Sequence, residues 1–254
     1  MALQVERQLT ITNLIRSKNT VSVEELSKMF DVSLNTIRRD LSILETKGLL
    51  KRTQGGALLV EVNQFVEPFH IRKSEYTDEK ELIGKAAVQL VSENDTIIID
   101  AGTTTLELAK NLNGFQRLTV LTNSLEVANE LIYNSNISVI LSGGVLRQSS
   151  RSLFGLPTEQ FFSQFHADKL FLSVGGISIA DGLTNPNINE TAVKRKMIEA
   201  AKEIIVLVDY HKFDRVSLSP ITSLNSVHKI VTDTKIPRAT LQELEKLGIE
   251  VVIA

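Results

Sequence analysis

Seven short apolar runs alternate with helical patterns in the second half of this chain, and that alternation limits the folds it can adopt. The runs are nearly continuous in Ile, Val and Leu, and they span residues 96–100, 118–122, 137–142, 169–174, 204–209, 229–233 and 250–253. Helix-period patterns occupy several intervals, at residues 106–112, 125–133, 192–201 and 240–247. Continuous apolar runs are typical of strands covered on both faces. The alternation therefore predicts an α/β domain built on a mainly parallel sheet.

The first 60 residues follow a different pattern. A helix is predicted at residues 5–17, and Ser22 begins a second helix with Glu25 as its capping-box partner. The predicted buried side of this second helix carries Leu26, Met29 and Phe30. A tight turn at residues 31–33 leads into a third helix, whose predicted apolar stripe is formed by Leu34, Ile37, Leu41 and Leu44.

The third helix has a polar face opposite its apolar stripe. Ser33 is a suitable N-cap for it. The polar face carries two arginines, an amide and two hydroxyls, from Asn35, Thr36, Arg38, Arg39 and Ser42. These donors can read base edges and hold phosphates in a major groove. Since charged side chains on helices are mostly just solvated, this helix alone leaves both interpretations open.

A predicted wing follows the third helix. Gly48 is expected to end that helix, and two short strands are expected around Gly55 and Gly56. Lys51 and Arg52 would place positive charge beside the DNA backbone. Residues 1–58 are thus predicted to form a winged helix-turn-helix. The predicted DNA-binding residues are Ser22, Ser33, Asn35, Thr36, Arg38, Arg39, Ser42, Lys51 and Arg52.

The charge distribution agrees with DNA contact by one end of the chain. Residues 1–60 hold nine Lys and Arg against six Asp and Glu, whereas the chain as a whole has a net charge of −2. The absence of cysteine excludes disulfides and thiolate metal sites, and the four scattered histidines lack ligand spacing, so no metal is expected. No apolar run has the length of a membrane span, and Gln4, Glu6 and Arg7 interrupt any signal peptide. A cytoplasmic location is expected.

A connector separates the two predicted domains. Residues 59–74 have no clean period and contain Pro68, so they are predicted to be a linker. A helical pattern begins at Asp78, and residues 75–254 are predicted to form a domain for effector sensing and oligomerisation.

The carboxyl ends of the predicted strands are polar or rich in glycine, and ligands of parallel sheets bind at such ends. Gly102 precedes three threonines at a helix start, an arrangement that offers free N–H groups, hydroxyls and a positive dipole end to an anion such as phosphate. Arg147, Lys194 and Lys212 are candidate cations for this anion. For Lys194, an ordinary exposed helix lysine is an equally good interpretation.

Both halves resemble the DeoR family of bacterial transcriptional regulators, and the resemblance covers nearly the whole chain. In the first half it is carried by Arg7, Ile11, Ile15, Ser33, Thr36, Ile37, Arg38, Arg39, Asp40, Leu41, Gly55 and Gly56. In the second half it is carried by residues 100–104, 122–123, 143–144, 147, 181–184, 190, 194–195, 209 and 212–213. The run after Asp209 departs from the family pattern, because Tyr210 and His211 stand where small hydroxyl residues are usual.

The resemblance implies a sensor domain similar in fold to ribose-5-phosphate isomerase and glucosamine-6-phosphate deaminase, with a phosphorylated sugar or polyol as effector and no cofactor. It also implies a repressor of sugar catabolism genes that binds operator DNA. The residues expected to bind the effector are Asp100, Gly102, Thr103, Thr104, Thr105, Asn123, Ser124, Gly143, Gly144, Arg147, Glu190, Lys194 and Lys212.

Three hypotheses follow for function. The first is a DNA-binding repressor that responds to a sugar phosphate, the second is an isomerase or deaminase with an accessory DNA-binding module, and the third is a nucleic-acid-binding protein with a redundant second domain. Enolisation needs a positioned base. Asp100 could serve as that base, but a structural role is expected for it at a strand end. A homodimer or tetramer is expected because paired half-sites are read by symmetric proteins; whether the effector releases or promotes DNA binding stays open.

Overall fold

The computed structural model describes residues 4–18, 20–46, 50–58 and 67–254 of the chain. The chain divides into two compact units, Met1–Phe65 and Val66–Ala254. Gly48, which was predicted to end the third helix, and residues 59–66 of the predicted linker lie outside the described residues.

The described residues of the first unit form three helices and a three-stranded sheet. In chain order its elements are α1 (Gln4–Lys18), β1 (Thr20–Ser22), α2 (Val23–Phe30), α3 (Leu34–Thr46), β2 (Lys51–Arg52) and β3 (Gly56–Leu58). The sheet has the order β1-β3-β2 and both pairings are antiparallel. Helix, turn and helix followed by a β2–β3 hairpin form the predicted winged helix-turn-helix.

Local interactions explain where the helices of this unit begin. Ser22 Oγ accepts a hydrogen bond from the backbone N–H of Glu25 over 3.0 Å, and Ser33 Oγ accepts one from that of Thr36 over 3.1 Å. Both serines are therefore the N-caps that the sequence predicts. Gly56 is required by packing, because a Cβ there would lie 2.0 Å from the carbonyl oxygen of Val21 on the paired strand.

Two side chains that were predicted on the buried side of this unit are exposed, and a third, Phe30, is half-buried. Ile37 and Leu41 are buried as expected, but Leu34 and Met29 are exposed. Leu34 lies in the first turn of α3 and Met29 in the last turn of α2. The ends of a helix extend beyond the core that its middle turns contact, so these two side chains are exposed.

The second unit holds the remaining elements. Its helices are α4 (Phe69–Ser74), α5 (Thr77–Val88), α6 (Thr103–Lys110), α7 (Leu125–Leu131), α8 (Leu156–Phe162), α9 (Ile188–Glu199) and α10 (Arg238–Lys246). Its strands are β4 (Thr96–Ile99), β5 (Leu118–Thr122), β6 (Ile137–Leu141), β7 (Val145–Arg147), β8 (Ser152–Phe154), β9 (Ala167–Leu172), β10 (Gly176–Ser178), β11 (Gly182–Asn185), β12 (Ala201–Leu207), β13 (Ser219–Thr222), β14 (Lys229–Thr232) and β15 (Glu250–Ile253).

All seven predicted core strands belong to one parallel sheet with the order β15-β14-β12-β9-β4-β5-β6. Alternate residues of β4 face different cores, since Ile98 joins one apolar cluster while Ile97 and Ile99 join the other. The sheet is therefore covered on both faces, as its continuous apolar strands predict. The hairpin β7–β8 and the antiparallel sheet β10-β11-β13 were not predicted.

The strand order reverses between β4 and β9. From β4 the chain proceeds to β5 and β6 on one side, and then returns to β9, β12, β14 and β15 on the other. Neighbouring connections leave this point in opposite directions, so a crevice forms outside the carboxyl ends of β4 and β9. This crevice is where a ligand of such a sheet is expected to bind.

Part of the predicted linker is an ordered element of the second unit. Residues 69–74 form α4, and Phe69 is 2% exposed within the cluster that also holds Ile97 and Ile99. The backbone N–H of Phe69 donates to the carbonyl of Ser149 over 2.7 Å. Six residues are too few for a hydrophobic period to register, and for this reason the sequence pattern missed the helix.

Candidate functional site

The face of α3 that the sequence assigns to DNA is accessible. Asn35, Arg38 and Arg39 are exposed, while Thr36 and Ser42 are half-buried. Arg38 Nη1 donates to Asn35 Oδ1 over 3.1 Å. In contrast, Arg39 makes no hydrogen bond or ion pair within the described residues, so its guanidinium is free to bind.

The wing carries one described cation. Arg52 is exposed, and its backbone N–H donates to Glu45 Oε1 over 2.8 Å, which ties β2 to the end of α3. The side chain of Lys51 lies outside the described residues.

Asp40 is the polar residue of α3 that sequence reasoning assigned no role. It is 2% exposed and accepts hydrogen bonds from Arg7 Nε over 2.6 Å and from Gln8 Nε2 over 3.0 Å. This buried ion pair joins α1 to α3. The signal in the sequence was a charged residue within an apolar stripe.

In the second unit, Asp100 lies at the crevice between β4 and β9. It is 1% exposed, and its Oδ2 accepts the backbone N–H of Ser173 over 3.0 Å. Gly102 packs against the same residue, because a Cβ at Gly102 would lie 2.4 Å from Ser173 Oγ. The strand-end loop is therefore clamped onto the neighbouring strand.

Lys194 from α9 completes the clamp. Its Nζ forms an ion pair with Asp100 Oδ2 and donates to the carbonyl of Ser173 over 2.9 Å. At 4% exposure it is not the exposed helix lysine of the simpler interpretation. Burial raises the pKa of Asp100, and the ammonium of Lys194 opposes that rise. Both side chains are committed to each other, which supports the structural role expected for Asp100.

The three threonines at the start of α6 differ in what their hydroxyls do. Thr105 is fully buried, and its Oγ1 donates to the carbonyl of Asp100 over 2.6 Å, so this hydroxyl holds the loop rather than a ligand. The hydroxyls of Thr103 and Thr104 make no hydrogen bond within the described residues. They lie at a helix N-terminus with free backbone N–H groups, which favours an anion.

Buried polar atoms without partners lie at the ends of the next two strands. Asn123 follows β5 and is 3% exposed; its Nδ2 donates to the carbonyl of Leu153 over 3.0 Å, whereas its Oδ1 has no partner. Ser142 Oγ, at the end of β6, is also buried without a partner. Such atoms are costly unless a ligand or water satisfies them. Ser124, by contrast, uses its Oγ to cap α7 through the N–H of Val127.

Glu190 lies in a polar cluster beside the β7–β8 hairpin. Its Oε1 accepts from Ser150 Oγ over 2.6 Å, and its Oε2 accepts from Asn185 Nδ2 over 3.3 Å. Arg147 Nε lies 3.4 Å from Glu190 Oε1, within ion-pair distance but without hydrogen-bond geometry. Arg147 thus keeps donors for a further partner.

Lys212 follows β12 in a short turn. Burial lowers its pKa, the charge of Asp209 opposes that effect, and Arg72 lowers the pKa further as a like charge. Its ammonium makes no hydrogen bond or ion pair within the described residues. It is therefore a half-buried cation without a direct counter-ion.

Two further cations near Lys212, Arg72 and Lys80, were not predicted from the sequence. Arg72 lies in α4, where burial lowers its pKa while the charges of Glu190, Glu67 and Asp100 oppose the shift. Lys80 lies in α5 at 5% exposure, and burial lowers its pKa to about 8. The only sequence feature that indicated the helix of Arg72 was Pro68, which precedes a short run of mixed polar and apolar residues.

Gly143 and Gly144 were predicted to bind the effector, but they make no hydrogen bond to the crevice residues described above. Both are exposed, and the carbonyl of Gly143 accepts from Thr158 Oγ1 over 2.6 Å. No hydrogen bond in the described part of the chain joins them to the crevice at β4 and β9. Within the same described ranges there is no group of three or more His, Asp or Glu side chains that could hold a metal ion, and no helix with the length and apolar character needed to cross a bilayer.

A winged helix-turn-helix joined to a parallel α/β domain with a polar crevice at its strand-order reversal defines a DNA-binding regulator with a sensor domain. Residues 7–63 match the DeoR-like helix-turn-helix domain, and residues 75–234 match the DeoR C terminal sensor domain. The chain belongs to the DeoR family of DNA-binding transcriptional regulators.

Individual proteins agree with this assignment. The HTH-type transcriptional regulator GolR of Listeria innocua is 41% identical over 98% of both chains, and the glycerol-3-phosphate regulon repressor of Escherichia coli is 35% identical over 95% of both. These relatives are regulators rather than enzymes, so the hypothesis of an isomerase or deaminase is set aside. Among solved structures, ribose 5-phosphate isomerase A from Methanocaldococcus jannaschii matches 54% of each chain with 17% identity and a TM-score of 0.40.

Proposed function

We propose that this regulator represses a sugar or polyol catabolic operon and responds to a phosphorylated sugar bound at the carboxyl ends of β4, β5, β9 and β12. The observation that carries the proposal is a half-buried ammonium at these ends that has no direct counter-ion. Asp100 is neutralised by Lys194, and Glu190 lies beside Arg147, whereas Lys212 has no direct counter-ion. A bound anion would give Lys212 a counter-ion and would reduce its repulsion with Arg72.

The hydrogen-bonding groups of the crevice suit a phosphate ester of a polyol. The N-terminus of α6 and the hydroxyls of Thr103 and Thr104 can hold phosphate oxygens. The unpartnered Asn123 Oδ1 accepts hydrogen bonds only, and so favours a hydroxyl of the ligand. Asp100, Gly102, Ser124 and Thr105 would support the loops rather than contact the ligand.

In the first unit, we assign DNA contact to the exposed face of α3 and to the wing. Arg39 and Arg38 would read base edges, and Arg52 with Lys51 would meet phosphates. Ser22 and Ser33 cap the two helices, and phosphate contact is proposed for both. Two copies of the chain would bind two half-sites, as dimers of such modules do.

A two-stage experiment tests this function. A panel of sugar phosphates, with the parent sugars and inorganic phosphate as matched controls, is screened for a rise in unfolding temperature, since a ligand that binds only the folded state stabilises it. DNA selected for binding from a random pool is then titrated with and without the best compound. A phosphorylated compound should stabilise the protein and change its DNA affinity, while its parent sugar does neither. If no phosphorylated compound stabilises the protein, the proposed effector class is wrong.

A further inference from the structure

Helix α4 joins the DNA-binding unit to the sensor domain along the chain, and it also delivers a cation to the sensor crevice. It is the first described element of the second unit. Phe69 anchors it in the core, and Lys80 Nζ holds its carboxyl end by donating to the carbonyls of Arg72 and Glu75. The helix is therefore an integral part of the domain that holds the crevice.

The guanidinium of Arg72 is only partly used by the protein. Its Nε donates to the carbonyl of Glu67 over 2.9 Å, and its Cζ lies 5.8 Å from the ring centroid of Phe69. Its two terminal nitrogens donate to no acceptor in the described part of the chain. An arginine fork held by its Nε with both ends free has the geometry that binds two oxygens of a phosphate or carboxylate.

The surroundings of Arg72 are those of the crevice. Helix α4 packs against α6, which begins at the crevice, and the backbone N–H of Phe69 donates over 2.7 Å to the carbonyl of Ser149, the neighbour of the Ser150 that donates to Glu190. Burial lowers the pKa of Arg72, the carboxylates of Glu190, Glu67 and Asp100 oppose this shift, and Arg147 adds to it. Asp100 and Glu190 already have partners of their own. Arg72 has like-charged neighbours in Arg147 and Lys212, and an anion bound among them would reduce their mutual repulsion.

We propose that Arg72 is a ligand-binding residue of the crevice, and that an anionic ligand held by it fixes α4, the segment through which the sensor domain is joined to the DNA-binding unit. This inference rests on the proposed function and names the element that carries its signal. A ligand can shift such an equilibrium only through a difference in affinity between two states. Arg72 supplies that difference, because it binds the anion only while α4 is seated.

The test compares Arg72→Gln with Lys73→Gln, which removes the same charge from an exposed position of the same helix. Inorganic phosphate and glucose 6-phosphate are titrated into each full-length protein by calorimetry. We expect Arg72→Gln to bind both probes roughly tenfold to a hundredfold more weakly, the range for loss of a hydrogen bond to a charged group. Arg72→Lys is expected to retain part of the affinity, and Lys73→Gln to match the wild type. Unfolding temperatures without ligand establish that each variant is folded.

The hydrogen-exchange rates of the amides in residues 69–75 are measured at saturating ligand, where a change in affinity alone would not alter them. In the wild type, saturating glucose 6-phosphate should slow exchange in α4; in Arg72→Gln the same saturation should leave it unchanged. If neither probe binds the wild type, the proposed site for phosphate fails together with this inference. If both bind and Arg72→Gln behaves as Lys73→Gln does, the proposed function stands and the role of Arg72 is overturned.

Discussion

Arg7 donates from Nε to Oδ2 of Asp40 over 2.6 Å, and the two side chains are almost wholly buried between α1 and α3. The pair lies behind the face of α3 that we assign to DNA. It joins α3 to α1, although neither residue contributes to the face. An apolar stripe that includes an aspartate would be a defect without this partner, because an unpaired buried charge is very costly.

The first prediction follows from this pair. Asp40→Ala should lower the free energy of unfolding of the DNA-binding unit by about 3–5 kcal/mol, because it removes the carboxylate that pairs with the buried guanidinium of Arg7. DNA binding should be lost together with the fold of this unit. Denaturant titration of the full chain, followed by circular dichroism, measures the loss. The exposed Glu24→Ala is the matched control, and the double variant Arg7→Met/Asp40→Leu should lose less than Asp40→Ala; equal losses would contradict a dominant role for charge.

The second prediction concerns reading of bases. Arg39→Ala should weaken binding to selected DNA by about 1–3 kcal/mol and relax preference at one base position, because a free guanidinium on the exposed face suits a guanine edge. Fluorescence anisotropy with the selected sequence and single-base variants measures both effects. A uniform loss over all sequences would show that Arg39 contacts phosphate instead.

The third prediction concerns the wing and complements the second. Arg52→Ala should reduce affinity for all sequences alike and lower the slope of log affinity against log salt by about one unit, because one phosphate contact releases about one counter-ion. Titrations at several salt concentrations measure the slope. A loss restricted to particular sequences would mean that the wing reads bases.

The fourth prediction separates two neighbouring threonines. Thr104→Val should keep the fold and DNA binding while weakening the response to the sugar phosphate, because the lost hydroxyl is free in the protein. A hydrogen bond to a charged group corresponds to about 1.5–3 kcal/mol. Thr105→Val should instead lower the free energy of unfolding by about 1 kcal/mol, since its hydroxyl holds the carbonyl of Asp100.

Calorimetric titration and urea unfolding measured on both variants decide this prediction. An unchanged response in folded Thr104→Val would move the ligand away from α6. Substitution of Gly102 is a poor test, because a side chain there would meet Ser173 and disturb the strand ends whether or not a ligand binds.

The fifth prediction is a pH dependence that originates from Lys80. Burial lowers the pKa of its ammonium to about 8 in the folded protein, from an ordinary value of 10.5. Between these values the unfolded state binds more protons, so the contribution of Lys80 to the free energy of unfolding rises with pH. Urea unfolding across this window should show the rise in the wild type and its loss in Lys80→Met, with exposed Lys85→Met as control. A difference between wild type and Lys80→Met that falls as pH rises would contradict the prediction.

The classes of both units could be predicted from the amino-acid sequence alone. The spacing of apolar residues along a strand or helix reflects which of its faces are buried. Because this spacing recurs along the whole element, all seven core strands and the helix-turn-helix were predictable. The two serine caps were predictable for a related reason, since a cap involves residues only three positions apart. The loops at the strand ends were predictable as a group, because parallel strands bring their carboxyl ends to one edge.

The role of each side chain in those loops depends on contacts that are visible in the folded protein alone. Lys194 and Asp100 are 94 residues apart in sequence, yet they form one ion pair. The hydroxyls of Thr104 and Thr105 differ in their partners although the two residues are adjacent and identical in type. The role of Arg72 was not predicted because its helix has only six residues and is held by Phe69 and Lys80 rather than by its own propensity. Pairing between distant residues depends on the packing of the whole sheet, and no local pattern of residues records it.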